Sequence, residues 1–297
     1  MKFGSVDNPA DIDFSLPEDH PETANVLGRQ EKPDKPNVYV GCAKWNRSDL
    51  KNFYPRGTKD ELEYYATQFN AVEMNATFYR NFPEDQINDW CGKVPEHFRF
   101  FPKVYQQISH RKWLNDIEEA TEEYLNSVAH FEGHLGTIFL QFRDNFKPKF
   151  FDRVQNFIES WPEGFDLAVE FRHPDWFHDE SVADELYALL EENDIANVIT
   201  DTADRRDLLH MRLTNNEAFV RYVGANHSSD FDRLDEWVSR LKQWVDQGLD
   251  NIHFFVHQNK ERKSPQLAAH FIKQLNEELG TDLKIPKFKN GDHPTLF

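Results

Sequence analysis

Eight short runs of β-branched and aromatic residues, separated by longer amphipathic stretches, leave few folds open to this 297-residue chain. The runs fall at 38–42, 71–74, 98–103, 136–142, 167–171, 196–200, 219–223 and 252–257, and helical periodicity fills 59–69, 116–131, 149–160, 181–193, 232–247 and 265–279. Such alternation marks repeated β-α units. The strands are apolar on both faces, as in Thr137-Ile138-Phe139-Leu140, which suits a parallel sheet covered by helices. Eight units predict an α/β fold, a single (β/α)8 TIM-type barrel over 37–297. The rival, an open doubly wound sheet, needs a Gly-rich turn after its first strand. Gly41-Cys42-Ala43-Lys44-Trp45 has neither GxGxxG nor P-loop spacing.

Residues 1–36 hold five prolines, eight acidic and four basic groups, and no sustained apolar period, which predicts an irregular acidic N-terminal arm. Phe14, Leu16, Val26 and Leu27 are its anchors to the body. At the other end, Ser264-Pro265 reads as a capping hydroxyl before a first-turn proline, and Gly280 closes the same helix. The acidic start of the third helix, Asp116 to Glu123, reads as a solvated face favoured by the helix dipole.

Composition narrows the partners. A net charge of −18 repels polyanions, so no nucleic acid is expected. Cys42 and Cys91 form no CxxC pair and belong to no zinc-spaced cluster, which suits a reducing cytoplasm. No run approaches the length needed to cross a bilayer, and no membrane partner is expected. The chain carries no organic-cofactor signature.

If the strands are parallel, their carboxyl ends meet at one mouth. There the sequence places Glu73 and Asn75, Lys103, Gln141, Glu170 and Arg172, Thr200 and Asp201, Arg221, and His257. Burying such groups unpaired costs about 2–7 kcal/mol even for a neutral amide, so they must face one another or a ligand. A ring of ion pairs that merely seals the barrel end is the bland reading. In the chemical one, Lys103, Glu170, Glu73 and His110 are the catalytic candidates. Lys103 binds an oxyanion as an ammonium, or acts as base or nucleophile once desolvated beside Arg172 or Arg221. Glu73 and Glu170 are the carboxylates for proton transfer, and His110 follows the third strand. Asn75, Gln141, Arg172, Asp201, Arg221 and His257 line the site, with Trp45, Tyr79 and Trp176 as aromatic walls; Phe78 reads as core filling. Gly224, followed by Asn226-His227-Ser228-Ser229, is the one turn after the seventh strand that hints at phosphate recognition.

The ordered set Gly41-x3-Trp45, Tyr54-Pro55, Tyr64-Tyr65, Glu73-x-Asn75-x-Thr77-Phe78-Tyr79-Arg80, Lys103, His110, Gln141, Ala168-Val169-Glu170-Phe171-Arg172-His173-x2-Trp176 and Asp201 resembles the YecE-like family, domain of unknown function 72. The likeness runs over 38–279 and implies a TIM-type barrel with its cleft among these residues. It names no substrate. The chain departs from the family pattern at Val223, where a histidine is usual before the glycine, and at Phe255-Val256-His257-Gln258-Asn259.

Three functions fit these residues. The first is an enzyme, a lyase, isomerase or hydrolase without organic cofactor, acting on a small anionic or sugar-like metabolite by acid-base chemistry at the mouth. The second is a phosphoester hydrolase with a divalent metal on Glu73, Glu170, Asp201 and His257, although no HxH or HExxH motif assigns a metal site. The third is a non-catalytic barrel that captures a ligand or partner.

Overall fold

A computed structural model describes residues 4–29 and 31–288. Its strands are β1 (Asn37–Cys42), β2 (Ala71–Met74), β3 (Arg99–Pro102), β4 (Ile138–Gln141), β5 (Leu167–Glu170), β6 (Ala196–Asn197), β7 (Ile199–Thr202), β8 (Glu217–Gly224) and β9 (Asn251–Gln258). The helices are α1 (Pro21–Leu27), α2 (Glu61–Ala66), α3 (Glu84–Cys91), α4 (Glu118–Ala129), α5 (Phe151–Glu159), α6 (Asp175–His178), α7 (Glu180–Glu192), α8 (Ser229–Gln247) and α9 (Ser264–Leu279).

The fold is mixed α/β with two parallel sheets. One has six strands in the order β3-β2-β1-β9-β8-β7, and the other three in the order β4-β5-β6. Each of the eight expected runs contains strand. The sixth divides at Val198, whose N–H donates to the Val169 carbonyl. On one side of that residue β6 pairs with β5, and on the other β7 pairs with β8. Between β3 and β4, parallel bridges join Phe100 to Leu135 and Lys103 to Phe139.

Two apolar clusters follow from the pleat. The larger fills the space between strands and helices. Helices α8 and α9 feed it at helical spacing, through Leu234, Trp237, Val238, Leu241, Trp244 and Val245 and through Leu267, Ala268, Phe271, Ile272 and Leu275. The smaller is Ala71, Phe101, Phe139, Ala168, Ala196, Val198, Phe219 and Phe255, drawn from the other face of β2, β3, β4, β5, β6, β8 and β9 and the Val198 link, with Tyr39 of β1 packed against it.

Three local expectations change. The arm is not irregular throughout, because Pro21 starts α1 and buries Thr23, Val26 and Leu27. Short polar bonds hold the arm along α8: Asp19 accepts from Arg240 and Trp244, and Leu16 N donates to Glu236. Ser264 does not cap α9 but forms its first residue, with its hydroxyl donating to Glu261, whereas Gly280 ends the helix at φ +64 as expected. Helix α3, absent from the sequence reading, is polar along most of its length and buries only Ile87. Glu118, Glu119, Glu122 and Glu123 of α4 are exposed, as the solvated reading has them.

At Gly41 the strands run close. A Cβ there would lie 2.1 Å from the Ala71 carbonyl oxygen, where the Tyr65 hydroxyl accepts from Cys42 N and donates to that same oxygen. Gly41→Ala is therefore expected to destabilise the fold by about 1–3 kcal/mol, read as a lowered urea midpoint. An unchanged midpoint would show that β1 and β2 can part at no cost.

Candidate functional site

Residues two apart on a strand face the same side. Adding two to the small inner cluster converts Ala71, Phe101, Phe139, Ala168, Phe219 and Phe255 into Glu73, Lys103, Gln141, Glu170, Arg221 and His257. A polar layer thus lies directly beyond an apolar one, toward the carboxyl ends of the strands, and Arg172 continues it two residues after Glu170.

The layer is one continuous hydrogen-bonded network. Arg221 clamps Glu73 with Nε at 2.8 Å and Nη2 at 2.9 Å, and its Nη1 donates to Glu170 at 2.6 Å. Arg172 Nε donates to the other Glu170 oxygen. His257 Nε2 lies 2.8 Å from Glu73, and Asn75 donates to Glu73 at 2.8 Å. Gln141 links Lys103 to the network, accepting from Lys103 Nζ at 2.6 Å and donating to Glu170 at 2.8 Å.

These contacts set the protonation states. Burial alone would raise both carboxylates, yet Arg221 and His257 hold Glu73 well below its ordinary range, and Arg172 and Arg221 hold Glu170 at about 2. Both stay ionised at neutral pH. Lys103 behaves oppositely: burial, then Arg221 and Arg172, lower its ammonium to about 7 against the pull of Glu170 and Glu73. Its amine is thereby poised to gain or lose a proton near neutrality. Nζ lies 4.5 Å from the centroid of the half-buried Phe78 ring. His110 packs edge-on to Phe78, accompanied by the Ser109 hydroxyl, and burial lowers it to about 4, so it is a neutral imidazole at pH 7.

A cleft of about 500 Å³ opens beside this layer. Its lining includes Lys44, Lys51, Arg172, Arg221, Lys260 and Arg262, against the carboxylates Asp49 and Glu261. His257, Gln258 and Asn259 complete the strand-end face. In a chain of net charge −18, this concave surface is a local reversal of sign.

The structure brings together Glu73, Asn75, Lys103, Gln141, Glu170, Arg172, Arg221 and His257, with His110 adjoining through Phe78. Other expected site residues lie elsewhere. Asp201 follows the inward Val198 by three residues and so faces outward, where it accepts from Arg233, Arg206 and Trp237 behind the sheet. The four expected metal ligands therefore do not converge, and among the described residues no group of three His, Cys, Asp or Glu side chains could hold an ion. Trp176 is wholly buried, its indole donating to the Phe146 carbonyl. Trp45 packs edge-on against Trp90 and Phe100. Tyr79 is 67% exposed and lies outside the cleft lining. Those three give no aromatic wall. Phe78, expected to fill the core, is the ring that touches the site. The cleft cations Lys44, Lys51, Lys260 and Arg262 were not anticipated; Lys44, Lys260 and Arg262 follow strands at the signalled end, but a solvated loop lysine looks the same.

The model of the family described as "Protein of unknown function DUF72" matches residues 39–290. The UPF0759 protein YecE of Escherichia coli K12 is 24% identical over 275 residues, covering 84% of this chain and 98% of its own length. The UPF0759 protein YunF of Bacillus subtilis 168 is 22% identical over 256 residues, covering 73% and 88%. Among solved structures, a DUF72 family protein of Thermotoga maritima MSB8 superposes with a TM-score of 0.64 at 25% identity over 81% of this chain and 99% of its own. One from Enterococcus faecalis V583 gives 0.63 at 22% identity over 86% and 100%.

Two outcomes test this geometry. Lys103 titrates lower in the fold than in the unfolded chain, where a lysine has pKa about 10.4, so between those values the unfolded chain binds the extra proton and stability rises with pH. Urea midpoints of the wild type should climb from pH 7 to about pH 10 relative to Lys103→Met, and parallel profiles would refute the lowered amine. Asp201→Ala should cost about 1–3 kcal/mol, because it leaves the buried Trp237 indole N–H without its acceptor and buried Arg233 with Asp230 alone. NMR should find the Lys103 titration unmoved in that variant, and a displaced titration would put Asp201 in the mouth after all.

Proposed function

Because the chain belongs to the DUF72 family, whose description names no reaction, we propose its function from the chemistry of the mouth: an enzyme that binds a small anionic metabolite and uses Lys103 for proton transfer. The architecture behind this reading is a closed (β/α)8 barrel over 37–297 with an appended arm over 1–36. Closure is supported by the bridges between β3 and β4, the shared strand segment at Val198, and an inner cluster to which strands of both sheets contribute.

The observation that carries the proposal is the lowered Lys103 amine, held through Gln141 and Glu170 in the same polar layer as Arg172 and Arg221, which line the cationic cleft. A proton-transfer group works best when its pKa lies near the working pH, and about 7 meets that condition. Glu73 and Glu170 do not, since Arg221 and Arg172 keep them ionised. Their role is electrostatic: they hold the arginines in place and balance their charge. Gln141 aims the amine, its own amide fixed by donation to Glu170. Phe78 covers Nζ and keeps bulk water from it. A lyase or isomerase step on a substrate with an acidic C–H, or hydrolysis with Lys103 activating water, would use this arrangement without an organic cofactor. Among the described residues, no helix is long and apolar enough to cross a membrane.

The test is a turnover screen of the full chain against phosphorylated sugars and oxo and hydroxy acids, followed by NMR. With the substrate found, kcat/KM should rise through a limb near pH 7, and Lys103→Met should lower kcat by about 10²-fold or more. Full activity of Lys103→Met, or a profile flat across pH 6–8, would end the proposal.

A further inference from the structure

The cleft's positive charge is not spread evenly. Its inner end is already neutralised, Arg172 and Arg221 by Glu170 and Glu73. Lys44 is paired with Asp49 at 3.3 Å. Among the described residues, Lys51, Lys260 and Arg262 have no carboxylate within ion-pair distance, although all three line the same cleft. Glu261, the nearest acid in sequence, is turned toward the start of α9, accepting from Ser264 Oγ at 2.7 Å and from Gln258 N at 3.3 Å. The surplus therefore sits at the outer end.

The loop that carries Lys260 and Arg262 is held in place before any ligand arrives. Asn226, in the left-handed conformation at φ +58, donates to Gln258 Oε1 at 2.7 Å and accepts from Lys260 N at 2.9 Å. It thereby clasps the loop after β8 to the loop after β9. Asn259 donates to the Gly4 carbonyl at 2.6 Å, which adds the arm as a second tether. With the backbone already fixed, Lys260 and Arg262 have chiefly side-chain freedom left to lose on binding an anion. The amino end of α8 does not compete for that anion, since Asp230 already accepts from Ala225 N and His227 N there.

We infer that Lys51, Lys260 and Arg262 form a phosphate subsite, so that the substrate is a phosphate monoester whose dianionic end lies outermost and whose reacting end points inward to Lys103. Three unneutralised cations match a dianion better than a single carboxylate does. The inner end, being charge-balanced, then faces an uncharged polar portion of the substrate. This orientation rests on the proposed role of Lys103, but the subsite itself can be tested without it.

The experiment is calorimetric titration of the full chain with inorganic phosphate and with acetate at one fixed ionic strength. Phosphate should bind once per chain and at least about tenfold more tightly than acetate. Lys260→Gln combined with Arg262→Gln should weaken phosphate by about tenfold or more, Asn226→Ala by a smaller factor, and Lys103→Met by no more than about twofold. Equal binding of acetate would overturn the phosphate assignment. Unaltered phosphate affinity in the doubly substituted chain would overturn the subsite while leaving the proton-transfer role of Lys103 standing. Loss of phosphate binding in Lys103→Met alone would move the anion to the inner end and overturn the orientation.

Discussion

Arg221 is the cation that both buried carboxylates of the mouth share. Burying Glu73 and Glu170 without it would cost several kcal/mol for each charge, and burying Arg221 without them would cost as much. None of the three is tolerable alone, so the ends of β2, β5 and β8 are committed to one another as firmly as by their apolar layer. Everything else in the mouth inherits its geometry from that clamp. Gln141 is aimed by Glu170, Lys103 is held by Gln141, and burial, reinforced by the positive field of Arg221 and Arg172, lowers the lysine's pKa.

The same clamp reassigns the chemistry among the titratable groups. Carboxylates at strand ends look like acids and bases in a sequence, because nothing in the chain order reveals which arginine will reach them. Once paired, they lose that capacity and become the frame. The ability to exchange a proton near neutral pH passes to a lysine, the residue type that burial and neighbouring cations discharge most readily.

Much of the strand arrangement was legible because apolar runs bounded by polar strand ends are a direct consequence of a parallel sheet buried on both faces. Lys103, Glu170 and Arg221 were legible for the same reason: charged residues at the end of an otherwise apolar run must meet something. Asp201 lies three residues beyond the inward Val198 and so on the helix side; the polar end of its run does not reveal this, because a shift of one residue moves a side chain from the mouth to the helix side. Trp45 and Trp176 follow strands at the right end, but a loop's position does not reveal whether its tryptophan turns into the packing between helices. Helix α3 was missed because a largely polar surface helix carries almost no apolar period. That Ser264 opens α9 with its hydroxyl donating to Glu261, instead of capping it, is a detail that only coordinates supply.

The bond from Asn259 to Gly4 joins two stretches of different standing: the family match begins at residue 39, well after Gly4, whereas Asn259 lies inside it. A rim of the shared body is thus moored to a segment peculiar to the flank. Trimming the chain to the boundaries of the match would cut that mooring along with the ties between Asp19 and α8. A shortened protein would then keep the frame of the mouth and present a looser rim, so affinities measured on it would describe a different vessel from the one the whole chain builds.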